Sequence, residues 1–551
     1  MTSADAHQSD SPPGRGALRA WLAVFWLASL LLLLIQNGAL PLRDWDESLV
    51  ARVALETSER PWPQNLLPTL WHQAYLNKPP LLHGLIAAVI AIWRSLTPGA
   101  SAITAPPEWV VRLVPAVLSS LVVPLVALVQ QRLKPTDRLS TLATAAVALT
   151  LLPLMRHGRL AMLDGTLIAA MALQWWALLS LSRQPDTRAL RQWGLVAGLA
   201  CSAILLLKAP AAIPLLVGAC ALLAWEQRWP SLVWKKLGFW MGVGLLPGLL
   251  WHTWHGLVRG EAAMTMWGGQ GMARVVGAVE GHSGGIWVPV TEVLEGGGPW
   301  LALWPLALLL AWKTRRSRWG FWVLGFTLLT AGLVLPLQTQ LPWYSHLLWP
   351  SFCLAVGPLF AGLIRGGLSS APALSRCLRW IPAFWMVCGV AVVLLESKLP
   401  LPTSIERPVA LALGLGGALL MAPSLRWRRC GGAVLVVLLW WSLLALFCSP
   451  LWLWELNEQW AVPPVAAMVK RLPLDEQRLP LVVEGLNRPS LEWYLGRELV
   501  SGKVSHRLRH LPGKAALVVS EDPPVLPGWT CLDRGGTTHA PALYLCRRES
   551  S

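Results

Sequence analysis

The sequence predicts an all-α polytopic membrane protein that ends in a small α/β extramembrane domain. Three observations lead there. Only 14% of the 551 residues are charged and 54% are hydrophobic, with a mean hydropathy of +0.50; soluble domains run near a quarter charged. Many windows exceed the ~18 apolar residues that cross a bilayer, and backbone in lipid pairs its polar groups within its own segment, so these windows are helices. From about Trp452 the pattern changes, with short apolar runs (LPLVVEG, AALVVS, ALYLC) alternating with charged and turn residues. That is the signature of a domain of roughly 90–100 residues, near the lower common domain size.

Taken in order, residues 1–17 form a polar cytoplasmic tail, and Arg15 and Arg19 flank the first apolar segment, near 18–40. That segment is too long for a cleaved signal and no small-residue cleavage site follows it, so it reads as a signal anchor. Further apolar segments lie near 79–97, 110–132, 138–156, 160–182, 193–210, 211–228, 235–255, 298–312, 319–338, 343–364, 380–396, 408–424 and 431–448, giving a membrane region 18–450. Length predicts about 13 crossings. Basic clusters at Arg183/Arg188/Arg191, Lys313–Arg318, Arg365/Arg376/Arg379 and Arg426–Arg429 mark cytoplasmic loops under the positive-inside rule. The loops 41–78 and 256–299 and the tail 451–551 then face outside, at the plasma (inner) membrane. Strict alternation from the first helix conflicts with Arg132, Lys134 and Arg138 inside and Asp164 outside. One segment between 79 and 156 therefore dips without crossing, or two act as one. The 35 Trp cluster at segment ends, as interfacial belts do. The +17 net charge is spread through short loops, which orients helices and gives no reason to expect nucleic acid. Nine Cys show no metal-ligand spacing; Cys531 and Cys546 flank the last strands and are candidates for a disulfide outside the cytoplasm.

The chemistry concentrates after the first helix. Asp44, Asp46 and Glu47 sit at the mouth of the membrane, followed by Arg52 and by Tyr75-Leu-Asn-Lys78-Pro-Pro-Leu81. Charge in that position is costly and needs a reason. A carboxylate able to take a proton and a Lys able to meet an anion thus lie at one surface. Arg159 and Asp164 follow at another segment end, Lys208 stands inside LLLKAPAA, Arg274 and His282 lie in the Gly-rich loop, and Gln340-Leu-Pro-Trp-Tyr344 separates two late helices. Each has a plainer reading. Asp46 as a helix cap or partner of Arg43, Glu47 as a brace for Arg52 or a neighbouring cation, Lys78 as a snorkelling side chain, and Tyr344 as a belt residue all fit the sequence.

In this order and on one side, the set resembles the polyprenyl-phosphate-sugar glycosyltransferases of the GT-C superfamily, in the branch of the lipid A aminoarabinose transferases and protein O-mannosyltransferases. The likeness spans about residues 20–360, with a similar tail. It implies a GT-C-like helical fold, a polyprenyl-phosphate-linked sugar as donor, membrane lipids as surroundings and an extracytoplasmic lipid, glycan or protein acceptor. Asp46, with Glu47, resembles the catalytic acids. Lys78, Lys208, Arg274 and Tyr344 resemble holders of the lipid phosphate. Arg52, Tyr75, Arg159, Asp164 and His282 resemble residues lining the cavity. The sequence departs from the family at Asn77, where the lipid A enzymes carry Glu, and at Gln340, where they carry Lys. In those relatives the Glu and the His are linked to a metal. No cofactor is implied with certainty here, and a divalent metal on His282 and Asp164 stays open. The chemistry of such a donor agrees with this residue set: phosphate leaves as an anion and needs cations, and an acid on the opposite face of the sugar takes the acceptor proton, which inverts the anomeric carbon. A glycolipid transporter or flippase, or a glycan ligase, shares the surface cations and stays open as an alternative.

Overall fold

The computed structural model describes residues 15–97, 105–277, 285–369, 371–398, 402–453, 460–485, 487–510, 515–525, 527–537 and 540–548. It is a helical bundle with loops gathered at two ends of opposite character. At one end the cations the sequence assigns to the cytoplasm meet. Arg318 pairs with Glu226 at 2.9 Å and donates to the carbonyls of Arg132 and Leu179. Arg365 pairs with Asp137, Arg428 donates to the carbonyls of Ile364 and Arg365, and the Trp229 indole donates to that of Arg183. These guanidiniums cap carbonyls that helix ends leave without partners.

The opposite end is built around the acidic stretch. Helix Arg15–Leu34 delivers the chain there, and residues 41–46 lead into helix Glu47–Glu59. Arg112, in the span Glu108–Leu133, donates to the carbonyls of Asn37, Leu40 and Pro41. The Trp251 indole donates to the Leu66 carbonyl from helix Ser231–Arg259. Helix Leu81–Leu96 settles the alternation problem. Its Leu82, Ile86 and Ile90 pack on Val50, Ala51, Ala54 and Leu55 of helix Glu47–Glu59, and Arg94 reaches Glu59 at 3.1 Å. It begins and ends on the site end of the bundle, so it is the segment that does not traverse it. Asp164 then falls on the same end as Asp46, as the basic clusters require.

By length and composition seven helices among the described residues qualify as spans, or up to nine if each of two bent pairs is one span. That is fewer than the about 13 that apolar windows predict, because several windows are interrupted. Residues 138–158 bend by 58° between Leu149 and Leu152, and residues 287–313 bend by 108°, with Gly298 at φ +50°. The apolar helices Leu81–Leu96, Leu163–Leu179 and Arg318–Val334 are shorter than those spans.

A two-stranded hairpin, β1 (Thr69–Leu70) with β2 (Gln73–Ala74), precedes Lys78. The tail folds as a five-stranded sheet of β3 (Leu481–Val483), β4 (Val500–Ser501), β5 (Ala515–Ser520), β6 (Trp529–Thr537) and β7 (Ala540–Arg548), in the order β4-β3-β5-β7-β6. β3 is parallel to β4 and β5; β7 is antiparallel to β5 and β6. Both sheet faces are apolar, as residues alternating across a covered sheet require. Leu481, Val483, Leu517 and Leu545 face helix Val462–Arg471, while Val482, Val518 and Tyr544 face Val504 and Leu508. Cys531 lies opposite Cys546 and the two form a disulfide.

Candidate active site

The turn that presents Asp46 is tight. Trp45 is held in the left-handed region at φ +60°, and the Asp46 N–H donates to the Asp44 carbonyl at 2.7 Å. Left-handed backbone costs a non-glycine residue about 1–2 kcal/mol, so the surroundings must hold the turn. Asp46 occupies the N-cap position of helix Glu47–Glu59, yet its side chain makes no capping bond. The carboxylate is half-buried and hydrogen-bonds to none of the described residues. The cap reading therefore fails, and so does a pairing with Arg43.

Lys78 is placed by the hairpin. Glu56 accepts the Thr69 hydroxyl at 2.8 Å and the N–H groups of Trp71 and His72 at 2.8 and 3.1 Å. Both residues are left-handed, with φ +51° and +62°, so their N–H groups converge into an anion nest filled by the protein's own carboxylate. Lys78 then joins Asn77, Pro79, Lys208, Ala209, Pro210 and Met266 around one pocket. Lys208 stands at a break between helices Thr187–Leu207 and Ala209–Glu226, its own φ/ψ of −148°/80° being non-helical. Its ammonium lies 3.2 Å from Asp164 and 4.4 Å from the centre of the Tyr344 ring. Asp164 is in the first turn of helix Leu163–Leu179, where the helix dipole favours negative charge. Tyr344 accepts from Arg274 at 2.9 Å, and the Arg274 carbonyl anchors the N–H groups of Gln338 and Thr339.

These groups share one electrostatic field. Burial pushes the Asp46 carboxyl up to about 7, and Asp164 adds to the rise, while Lys78 and Lys208 oppose it. Burial pulls Lys78 down to about 8, helped by Lys208 and Arg274 and opposed by Asp164 and Asp46. A carboxyl near neutrality beside several cations suits a substrate that brings negative charge.

Other expected site residues lie elsewhere. Glu47 is fully buried in a two-pronged pair with Arg112, both contacts at 2.7 Å, and also accepts the N–H groups of Arg43 and Ala161. Its oxygens are occupied, which removes it from proton transfer and makes it a brace, with Arg112 as the neighbouring cation. Arg52 serves the hairpin, bonded to Glu56 at 2.9 Å and stacked 3.8 Å over Trp71, and is not among the residues around the Lys78 pocket. Arg159 is fully buried against Phe447 and Trp452 and donates to the carbonyls of Leu32 and Ile35. It caps the first helix from behind instead of lining a cavity. Tyr75 is buried, edge-on to His83 at 5.6 Å, and within the field of Asp46. Gln340 turns inward to the carbonyls of Val334 and Leu337. His282 lies outside the described residues. Asp164 is engaged by Lys208, and among the described residues no three metal-binding side chains gather.

Sequence reading missed Arg112, Glu56 and Arg488. A single Arg within the apolar run VVRLVPAV was the available signal for the first, since charge in a span has a partner. Glu56 and Arg488 gave none, because their partners lie across turns and domains.

Residues 72–255 match the family described as dolichyl-phosphate-mannose-protein mannosyltransferase, a stretch that holds Lys78, Asp164 and Lys208. No curated protein matches the chain by sequence. Among solved structures the chain superposes on ArnT from Cupriavidus metallidurans in the apo state, with TM-score 0.69, and bound to undecaprenyl phosphate, with TM-score 0.66. Identity is 16% in both, and 96% of this chain and 98% of that chain are covered. The chain thus carries a stretch that matches a mannosyltransferase family, within a fold similar to that of ArnT. The likeness of fold covers 96% of the chain, well beyond the matched family stretch, outside which Asp46, Arg274 and Tyr344 lie.

Proposed function

We propose that the enzyme transfers a sugar from a polyprenyl phosphate to an acceptor hydroxyl or phosphate oxygen on the extracytoplasmic face of the plasma (inner) membrane, with inversion at the anomeric carbon. The carrying observation is the convergence of one carboxylate, Asp46, which hydrogen-bonds to none of the described residues, with Lys78, Lys208, Arg274 and Tyr344 from segments far apart in sequence. In this reading Asp46 accepts the proton of the attacking oxygen as the new glycosidic bond forms. The old bond breaks toward the phosphate, whose charge falls on Lys78 and Arg274, and Tyr344 and Lys208 close the cradle. Asp164 holds Lys208 in place until phosphate arrives. Glu47 and Arg112 set the helix that carries Asp46. The disulfide Cys531–Cys546 supports an oxidising compartment for the tail, and the cations at the far end support a cytoplasmic position there.

Reconstitution into liposomes with a polyprenyl-phosphate sugar and a hydroxyl acceptor tests this reading. Free polyprenyl phosphate and a product of inverted anomeric configuration are expected in equal amounts. Movement of intact donor between leaflets without cleavage identifies a flippase, and transfer only from a diphosphate-linked glycan identifies a ligase.

A further inference from the structure

The turn carrying Asp46 is gripped from two sides, and only one grip belongs to the membrane region. On that side Arg112 and the Arg43 N–H hold Glu47. On the other side the extramembrane domain sends in the short helix Pro489–Leu495. Arg488, immediately before it, pairs with the Asp44 carboxylate, and the N–H and hydroxyl of Ser490 both donate to the other Asp44 oxygen. Arg488 is itself fixed, donating to the Trp460 carbonyl at 2.8 Å with its guanidinium 3.9 Å over the Trp460 ring. One turn further, the Tyr494 hydroxyl accepts the Leu42 N–H and donates to Glu108, both at 2.8 Å. Glu492 accepts the Trp71 indole at 3.1 Å. Thus a single helix of the tail touches the stretch before the base at Leu42 and Asp44 and the hairpin before Lys78 at Trp71.

The two grips leave Trp45 and Asp46 between them. Asp44 is clamped by the tail, Glu47 by the membrane region, and the left-handed Trp45 and the short Asp46 N–H to Asp44 carbonyl bond span the gap. A strained conformation persists only where its flanks over-determine it. Asp44, Arg488 and Ser490 are all buried, and a charge pair there is poorly screened. We infer that Arg488 and Ser490 are positioning residues for the transfer reaction, acting through Asp44 to hold Asp46 in line with the acceptor. This rests on the reading of Asp46 as the base.

The test uses full-length enzyme in liposomes and compares Ser490→Ala, Arg488→Lys and Arg488→Ala with wild type and with Asp46→Asn. Misplacing a reacting group by about 1 Å costs on the order of 100-fold. Turnover is expected to fall about 10-fold in Ser490→Ala and about 100-fold in Arg488→Ala, with partial rescue in Arg488→Lys, on that same scale. The KM for donor and the binding of polyprenyl phosphate stay at wild-type values. The acid limb of kcat/KM, expected near 7 from the burial of Asp46, moves toward lower pH as the loosened turn admits water. Two results overturn the inference: wild-type turnover in Ser490→Ala and Arg488→Lys, or losses that follow the unfolding temperature with an unmoved acid limb. If Asp46→Asn retains turnover, the base reading itself fails; if it is inactive while the Ser490 and Arg488 variants are not, only this inference fails.

Discussion

At the scale of single residues, protonation and pairing separate the acids. Asp46 and Glu47 are adjacent in sequence, and nothing in the string DWDES distinguishes a base from a brace. The difference is tertiary: Arg112 arrives from 65 positions away to occupy Glu47, and among the described residues no such group bonds to Asp46. Arg112→Ala strands a buried carboxylate, so it should destabilise the enzyme by about 3–5 kcal/mol, read as a lower unfolding midpoint in detergent. Asp46 behaves in the opposite sense. Its carboxyl titrates near 7 in the folded enzyme against an ordinary 3.8, so the folded state binds the proton more tightly than the unfolded chain. Stability is then lost as pH rises from about 4 through about 7. Asp46→Asn removes that cost and should raise the unfolding midpoint at pH 8 while leaving it nearly unchanged at pH 4. Thermal scans of the two proteins at both values check the sign.

At the scale of elements, the motifs were legible and their supports were not. Tyr75–Leu81, Asp164, Lys208 and Tyr344 are recognisable as strings, because polar residues at the ends of apolar windows stand out. The hairpin that aims Lys78 is invisible in sequence: it depends on Glu56 filling a nest formed by two left-handed residues, neither of them glycine. Glu56→Ala should free that hairpin, raising the KM for donor more than it lowers kcat, since in the proposed function Lys78 meets the phosphate and not the acceptor. A second expectation follows from Lys78 itself. Lys78 titrates near 8 in the donor-free enzyme, and a phosphate anion beside it must lift that value. Donor binding at pH 8 to 8.5 is therefore accompanied by proton uptake, measurable by calorimetry in buffers of different ionisation enthalpy. Binding without proton uptake would place Lys78 away from the phosphate.

At the scale of the whole molecule, the two ends of the bundle were readable from basic clusters alone, because the bias in loop charge is a property of the chain and not of its packing. The path between them was not. Helix Leu81–Leu96 is as apolar as a span, and only its seat along helix Glu47–Glu59 shows that it stays on the site end. Cys448 is exposed at the end of helix Leu425–Phe447 on that side, and Cys377 is exposed among the basic loops. In single-cysteine variants a membrane-impermeant maleimide added from outside should label Cys448 and spare Cys377; the reverse pattern would invert the assigned orientation. The central claim, that one carboxylate over a cradle of cations drives the transfer, is tested most directly by single-turnover sugar transfer in Asp46→Asn enzyme loaded with polyprenyl-phosphate sugar. The prediction is undiminished donor binding with transfer reduced at least about 100-fold, the scale of a lost general base; transfer at the wild-type rate from fully bound donor would contradict it.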